Sequence, residues 1–220
     1  MSRFFRTSLA ILGMSGSAVS GGAHTWDVNE VFSNADGTIQ FVELREANGT
    51  SGEIFLAGLM VSSVMTGNSF TIPSNLTPPS TNRHLLFATA AFAALPGAPT
   101  PDYIFPAGSV PFFAIFGDTV QYAFYDSFTF GPVPTDGVMS MNDGGVIAAN
   151  SPTNYAGQTG SVDASPDVAG DSDGDGDVDL GDYAAFAACL NGPTCEVFDF
   201  DSDDDNDLQD FSAFQNGFTG

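Results

Sequence analysis

Lysine is absent from this sequence, and arginine occurs only four times, at positions 3, 6, 45 and 83. Against these stand 27 acidic residues, for a formal net charge of −23. Nucleic acids and anionic membrane surfaces are bound through clustered Lys and Arg, so neither is an expected partner. Histidine occurs twice, at His24 and His84, and cysteine twice, at Cys189 and Cys195. The cysteines are in neither a CxxC nor a zinc spacing. No HExxH, phosphate-loop or dinucleotide fingerprint occurs, and the chain is expected to be non-catalytic. Past the N-terminus no apolar run is long enough to span a membrane.

The N-terminus reads as a secretory signal over residues 1–23. Arg3 and Arg6 supply a basic start, Leu9 to Val19 a short apolar stretch, and Gly21-Gly22-Ala23 a small-residue cleavage site after Ala23. A competing cut falls after Ser20, with Ala18 three positions from the cleaved bond. Losing Arg3 and Arg6 takes the side-chain balance from −23 to −25. A secreted or cell-surface protein is expected, in a compartment where disulfides persist. A bridge between Cys189 and Cys195 is then the favoured reading and two free thiols the alternative. Closing so short a loop contributes about 2 kcal/mol by loop entropy.

Residues 24–156 carry a β pattern. Strands are expected at Val28–Phe32 and Thr38–Glu46 around the turn Asn34-Ala35-Asp36-Gly37. The alternation slips at Phe41 and Val42, which predicts a bulge there or burial on both faces. Glu53–Met65 is expected to break into two strands near Gly58, followed by short strands at Ser69–Ile72 and Arg83–Thr89. Ala90–Leu95 reads as a helical turn. Phe112–Phe116 and Thr119–Tyr125 flank Gly117-Asp118 and predict a hairpin, with Val120, Tyr122 and Phe124 on one face. Phe128–Tyr155 is expected to form long surface loops, and Gly157–Gly170, small and polar, a linker. Short, frequently punctuated strands argue for a β-sandwich.

The last fifty residues hold more pattern than the rest. Asp171–Asp182 (DSDGDGDVDLGD) and Asp199–Asp210 (DFDSDDDNDLQD) are two copies of one motif. Each has Asp at positions 1, 3, 5, 7, 9 and 12. These are Asp171, Asp173, Asp175, Asp177, Asp179 and Asp182, then Asp199, Asp201, Asp203, Asp205, Asp207 and Asp210. Calcium takes six to eight hard oxygens, and this is the ligand spacing of an EF-hand-type loop. The first copy also has Gly176 at position 6, for the sharp turn, and Val178 at position 8, for an apolar tether to its twin. The second has Asp204 and Asn206 there, so Asp204 is expected in a left-handed conformation and the second site is expected to be the weaker. Tyr183, Phe186, Ala187 and Leu190 follow the first loop at helical spacing, as Phe211, Phe214 and Phe218 follow the second. Two short amphipathic helices packed about an approximate two-fold axis are expected.

From Asp171 to Gly217 the chain resembles the type I dockerin family. The resemblance implies two calcium loops, each leading into a helix, and a cohesin-like or cell-surface protein partner. In that family recognition is attributed to loop positions 10 and 11, here Leu180 and Gly181, then Leu208 and Gln209, in place of the Ser/Thr pair of many cellulosomal members. The β region resembles lamin-tail-type domains of exported bacterial proteins, through Val28-Asn29-Glu30-Val31, Phe41-Val42-Glu43-Leu44 and Gly117-Asp118-Thr119-Val120. That implies a non-catalytic, immunoglobulin-like β-sandwich in a mostly β chain, followed by the dockerin-like domain at 171–220. Glu30 and Glu43 are then structural hydrogen-bonding residues, with a catalytic carboxylate pair as the sharper alternative.

One enzymatic reading remains. Cleavage after Ala23 makes His24 the terminus, and its amine and ring with the ring of His84 match the ligand types of a copper histidine brace. In this the chain resembles the lytic polysaccharide monooxygenases, which are exported enzymes acting on extracellular polysaccharides.

Overall fold

The computed structural model describes residues 22–165, 169–172, 178–190 and 195–218. The expected signal segment up to Gly21 lies outside them, as do Asp173, Asp175 and Asp177 of the first acidic loop.

Among the described residues ten strands form two sheets. They are β1 (Trp26–Ser33), β2 (Gln40–Glu46), β3 (Met60–Ser63), β4 (Ser69–Thr71), β5 (His84–Ala88), β6 (Tyr103–Ile104), β7 (Asp118–Tyr122), β8 (Asp126–Phe130), β9 (Met139–Asn142) and β10 (Val146–Ala149). One sheet runs β10-β9-β1-β2-β5-β6 and the other β4-β3-β7-β8. Between them lie Trp26, Val28, Val31, Val42, Leu44, Leu85 and Phe87 from the first sheet, against Val61, Val120, Tyr122, Phe128 and Phe130 from the second. Burying each such side chain contributes roughly 1.5–3 kcal/mol, which makes this layer the main support of the sandwich.

The larger sheet is covered on its outer face too. Phe32, Phe41, Leu86 and Ala88 pack there against Phe92 of the short helix α1 (Ala90–Ala93). Phe41 and Val42 are thus both buried, on opposite faces, and this accounts for the broken alternation of β2. The bulge sits on β1 instead, between Val28 and Glu30.

Two expectations are corrected. The first is the hairpin, which joins β7 to β8 through Ala123-Phe124-Tyr125 rather than residues 112–116 to β7. Ala123 there has φ 49° and Phe124 is 84% exposed, so the alternation ends at Tyr122. Phe112 and Phe113 are buried without forming a strand, because the side chain of Gln40 takes the place of a neighbouring strand. Its Oε1 accepts from the Phe112 amide (2.6 Å) and its Nε2 donates to the Phe113 carbonyl (3.0 Å).

The second is the region of expected loops, which holds β8, β9 and β10, with β9 paired to β1 inside the larger sheet. The stretch expected as a linker is packed on the sandwich as far as Ala164. Val162 and Ala164 join the Phe32–Phe41 cluster, and the Asn150 side chain pairs with both the carbonyl (2.7 Å) and the amide (2.8 Å) of Val162.

After the sandwich come α2 (Leu180–Cys189) and α3 (Leu208–Gly217). Their shared core is small, with Val178, Phe186, Phe198 and Phe214 buried. Cys189, at the end of α2, is bonded to Cys195.

Candidate metal centre

The acidic loops are shaped by hydrogen bonds that the sequence encodes twice. Asp179 and Asp207 are the N-caps of α2 and α3, accepting from the Gly181 and Gln209 amides. Asp182 and Asp210, both fully buried, complete the capping boxes by accepting from the Asp179 and Asp207 amides (2.8 Å each). The same two carboxylates reach back to the start of their loops, accepting from the Ser172 amide in one copy and the Phe200 amide in the other. Each last aspartate therefore ties the beginning and the end of its loop to one helix.

The second loop curls around its first residue. Asp199 accepts from the amides of Asp203 (3.1 Å) and Asp204 (3.2 Å). Asp204, where the other copy has glycine, has φ 69° as its position demands, and Ser202 has φ 60°. The curl gathers carboxylates into two groups of three: Asp199, Asp201 and Asp203, then Asp205, Asp207 and Asp210. Within each group one oxygen per residue lies within 4.8 Å of the others.

Oxygens bound to one calcium at 2.3–2.6 Å lie no more than about 5.2 Å apart, so these groups fit a hard divalent cation. Mutual repulsion is evident in the protonation equilibria. Asp203 first, then local desolvation and Asp207, Asp210 and Asp199, raise the Asp205 carboxyl above its ordinary range. Local desolvation, then Asp203, Asp210, Asp199 and Asp207, do the same to Asp201. Of the first loop, Asp171, Asp179 and Asp182 are described, and the two helix-proximal ones occupy the same places as Asp207 and Asp210.

Comparison with protein-family models, curated proteins and solved structures finds no match to this chain.

The two histidines each lie against a different carboxylate. His24 Nδ1 is 3.4 Å from Glu53, whose Oε2 also accepts from the His24 amide at 2.6 Å. His84 Nδ1 shares a hydrogen bond of 2.7 Å with Glu43. In a copper brace the nitrogens of His24 that would bind metal are the ones turned to Glu53 here.

Glu30 and Glu43 stand opposite each other across β1 and β2 and are both buried. Glu30 accepts from the Ser140 hydroxyl (2.6 Å) and the Ser151 amide (2.9 Å); Glu43 accepts from Asn29 Nδ2 and the Thr153 amide (2.7 Å each). Burial, reinforced by the charge of Glu43, pushes the Glu30 carboxyl up. These bonds give the pair a structural task, fastening the segment around residues 140–153 to the sheet.

Residue spacing misjudged Asn206. Its side chain was expected only to lose the apolar tether of position 8. Instead its Oδ1 accepts from the Cys195 amide (2.7 Å) and its Nδ2 donates to the Cys195 carbonyl (3.3 Å). In the first copy Val178 is buried in the small core. One position thus carries an apolar anchor in one half and a polar anchor in the other.

Beside the loops lies a cleft of about 330 Å³ lined by Leu180, Tyr183, Phe211, Phe214, Gln215 and Phe218. Leu180 is 76% and Leu208 78% exposed.

Proposed function

We propose that the region from Asp171 is a calcium-dependent attachment module of dockerin type, carried outside the cell by a β-sandwich that has no catalysis of its own. The observation that carries this reading is the gathering of six aspartates of the second loop into two groups at calcium-ligand spacing. Asp199, Asp201, Asp203, Asp205, Asp207 and Asp210 would hold calcium there, and Asp171, Asp173, Asp175, Asp177, Asp179 and Asp182 would do so in the first loop. Bound calcium offsets the repulsion among these carboxylates and lets the loops keep the curl that starts each helix. The second site is the weaker, because Asp204 holds its left-handed conformation at a cost of roughly 1–2 kcal/mol that glycine avoids.

Three further features support the setting. The Cys189–Cys195 disulfide suits an oxidising, extracellular environment. Among the described residues no helix is long and apolar enough to cross a membrane. Leu180 and Leu208, at equivalent positions of the two copies, are the exposed apolar side chains that a cohesin-like or cell-surface protein would cover. Circular dichroism of the whole chain tests the metal dependence: a chelator should remove most of the signal of α2 and α3 and leave the β signal. Full helicity after chelation would refute it.

A further inference from the structure

The outer face of the smaller sheet is open and uncharged. Alternation along β3, β7 and β8 sends Val61, Ser63, Val120, Tyr122, Phe128 and Phe130 inward. Met60, Ser62, Thr119, Gln121, Ser127 and Thr129 face the other way. Ser69, Ser62, Gln121 and Ser127 stand side by side in one row across all four strands. The row covers three strand spacings, about 14 Å. Thr119 and Thr129 stand in the row beside it, their hydroxyls 2.8 Å apart. Neither row holds a charged residue, in a chain of net charge −23. Among the described residues, no hydrogen bond engages the side chains of Ser62, Ser69, Gln121 or Ser127. The Gln121–Ser127 end of the row meets two rings. Phe124, 84% exposed, and Tyr125 lie in the β7–β8 turn with centroids 4.2 Å apart. These four residues, with Ala123 and Asp126, line a cleft of about 210 Å³.

We propose that this face and its cleft bind an uncharged polysaccharide. The Gln121 amide offers two donors and an acceptor, and each serine hydroxyl a donor and two acceptors. That set matches a ligand whose own hydroxyls both give and accept hydrogen bonds. Aromatic ring faces are electron-rich, so Phe124 and Tyr125 suit the C–H edges of a sugar ring. Anionic polymers are repelled by the charge of the chain, which no lysine or arginine on this face offsets. A protein partner fits less well, because the centres of protein interfaces are apolar and aromatic rather than a row of hydroxyls. Every residue invoked belongs to the sandwich, so the proposal stands apart from the calcium reading.

Native affinity electrophoresis of the intact chain tests this, in gels containing hydroxyethylcellulose, glucomannan or dextran, with carboxymethylcellulose as the anionic counterpart. At least one neutral polymer should retard the wild type, and carboxymethylcellulose should not. Gln121→Ala and Phe124→Ala should each weaken the retardation about fivefold or more. Neither side chain is buried, so neither change should move the unfolding midpoint. Retardation by none of the neutral polymers, or retardation that both substitutions leave unchanged, overturns the proposal. So does a wild-type dimer in sedimentation that Phe124→Ala converts to monomer, since a second copy of the chain then covers the face.

Discussion

Phe186 and Phe214 hold the same place in the two halves of the C-terminal module, and their rings lie stacked on each other, with centroids 5.0 Å apart and planes 21° apart. Each follows the last aspartate of its loop by four residues, so one turn of helix separates the acidic loop from the core. Phe198 meets both rings edge-on, at 5.2 and 5.9 Å. Among the described residues, Val178 is the one other buried side chain of this core. A core of this size needs a metal or a covalent staple to stay folded, and this module has the residues for both.

Phe214→Ala should therefore cost about 3–5 kcal/mol and unfold the module even in saturating calcium. Heating monitored by circular dichroism should lose the helical transition and keep that of the sandwich. An unchanged helical transition would show that the stacked pair is not the support described.

Acid should weaken the sandwich through Glu46. Burial alone would raise this carboxyl, but hydrogen bonds from the Asn82 amide, the Thr50 hydroxyl and amide and the Thr25 hydroxyl outweigh it and hold the pKa at about 2. Below the ordinary value of 4.5 the unfolded chain takes up a proton that the folded chain refuses. The contribution, on the order of 2–3 kcal/mol, is complete above that value and is lost as the pH falls towards 2. Glu30 has the opposite sign, because its raised pKa favours folding at low pH and loses that effect as the pH rises. Urea unfolding of wild type and Glu46→Gln between neutral pH and pH 2 should show the acid slope shrinking in the variant. Parallel curves would contradict the assignment.

The residues just before His24 belong to the sandwich. The Gly22 amide donates to Gly52 (2.9 Å), its carbonyl accepts from Phe55 (3.0 Å), and the Ala23 carbonyl accepts from the buried Tyr122 hydroxyl (2.7 Å). A chain beginning at His24 should be less stable by about 2–4 kcal/mol than one beginning at Gly21, given about 1 kcal/mol per hydrogen bond. Equal denaturant midpoints would show that these contacts are dispensable. A cut after Ser20 would keep these contacts and leave His24 inside the chain, without the free amine of a brace.

A chain ending at residue 156 should be less stable than one ending at residue 165. The shorter chain exposes the Phe32–Phe41–Phe92 face by removing Val162 and Ala164, at a cost of about 2–4 kcal/mol. Matching stabilities would place the boundary where composition alone puts it.

These outcomes turn on what local sequence can express. The acidic loops and their helices were legible because every determinant is close by: Asp182 and Asp210 bond to amides three and ten residues away. The sandwich was legible as a class, and β1, β2 and β5 within a few residues, because each is a short apolar-rich run bounded by turn residues. Residues 112–116 were not, since what satisfies their backbone is the side chain of Gln40, more than seventy positions earlier. Strand β9 was missed for the same reason. It has little periodicity of its own, pairs along its length with β10, and is fixed in the sheet by pairing with Glu30 and Val31. Asn206 looked like a lost contact because its partner, Cys195, lies in the connection between the copies.

Calcium binding itself is tested most directly by calorimetric titration of the chelator-stripped, oxidised wild-type chain, alongside a variant with Asp199, Asp201 and Asp203 changed to Asn. The wild type should bind more than one calcium in a saturable manner, and the variant should lose the weaker site and retain the tighter one. Absence of saturable binding at millimolar calcium, or binding that the three substitutions leave unchanged, would contradict the account.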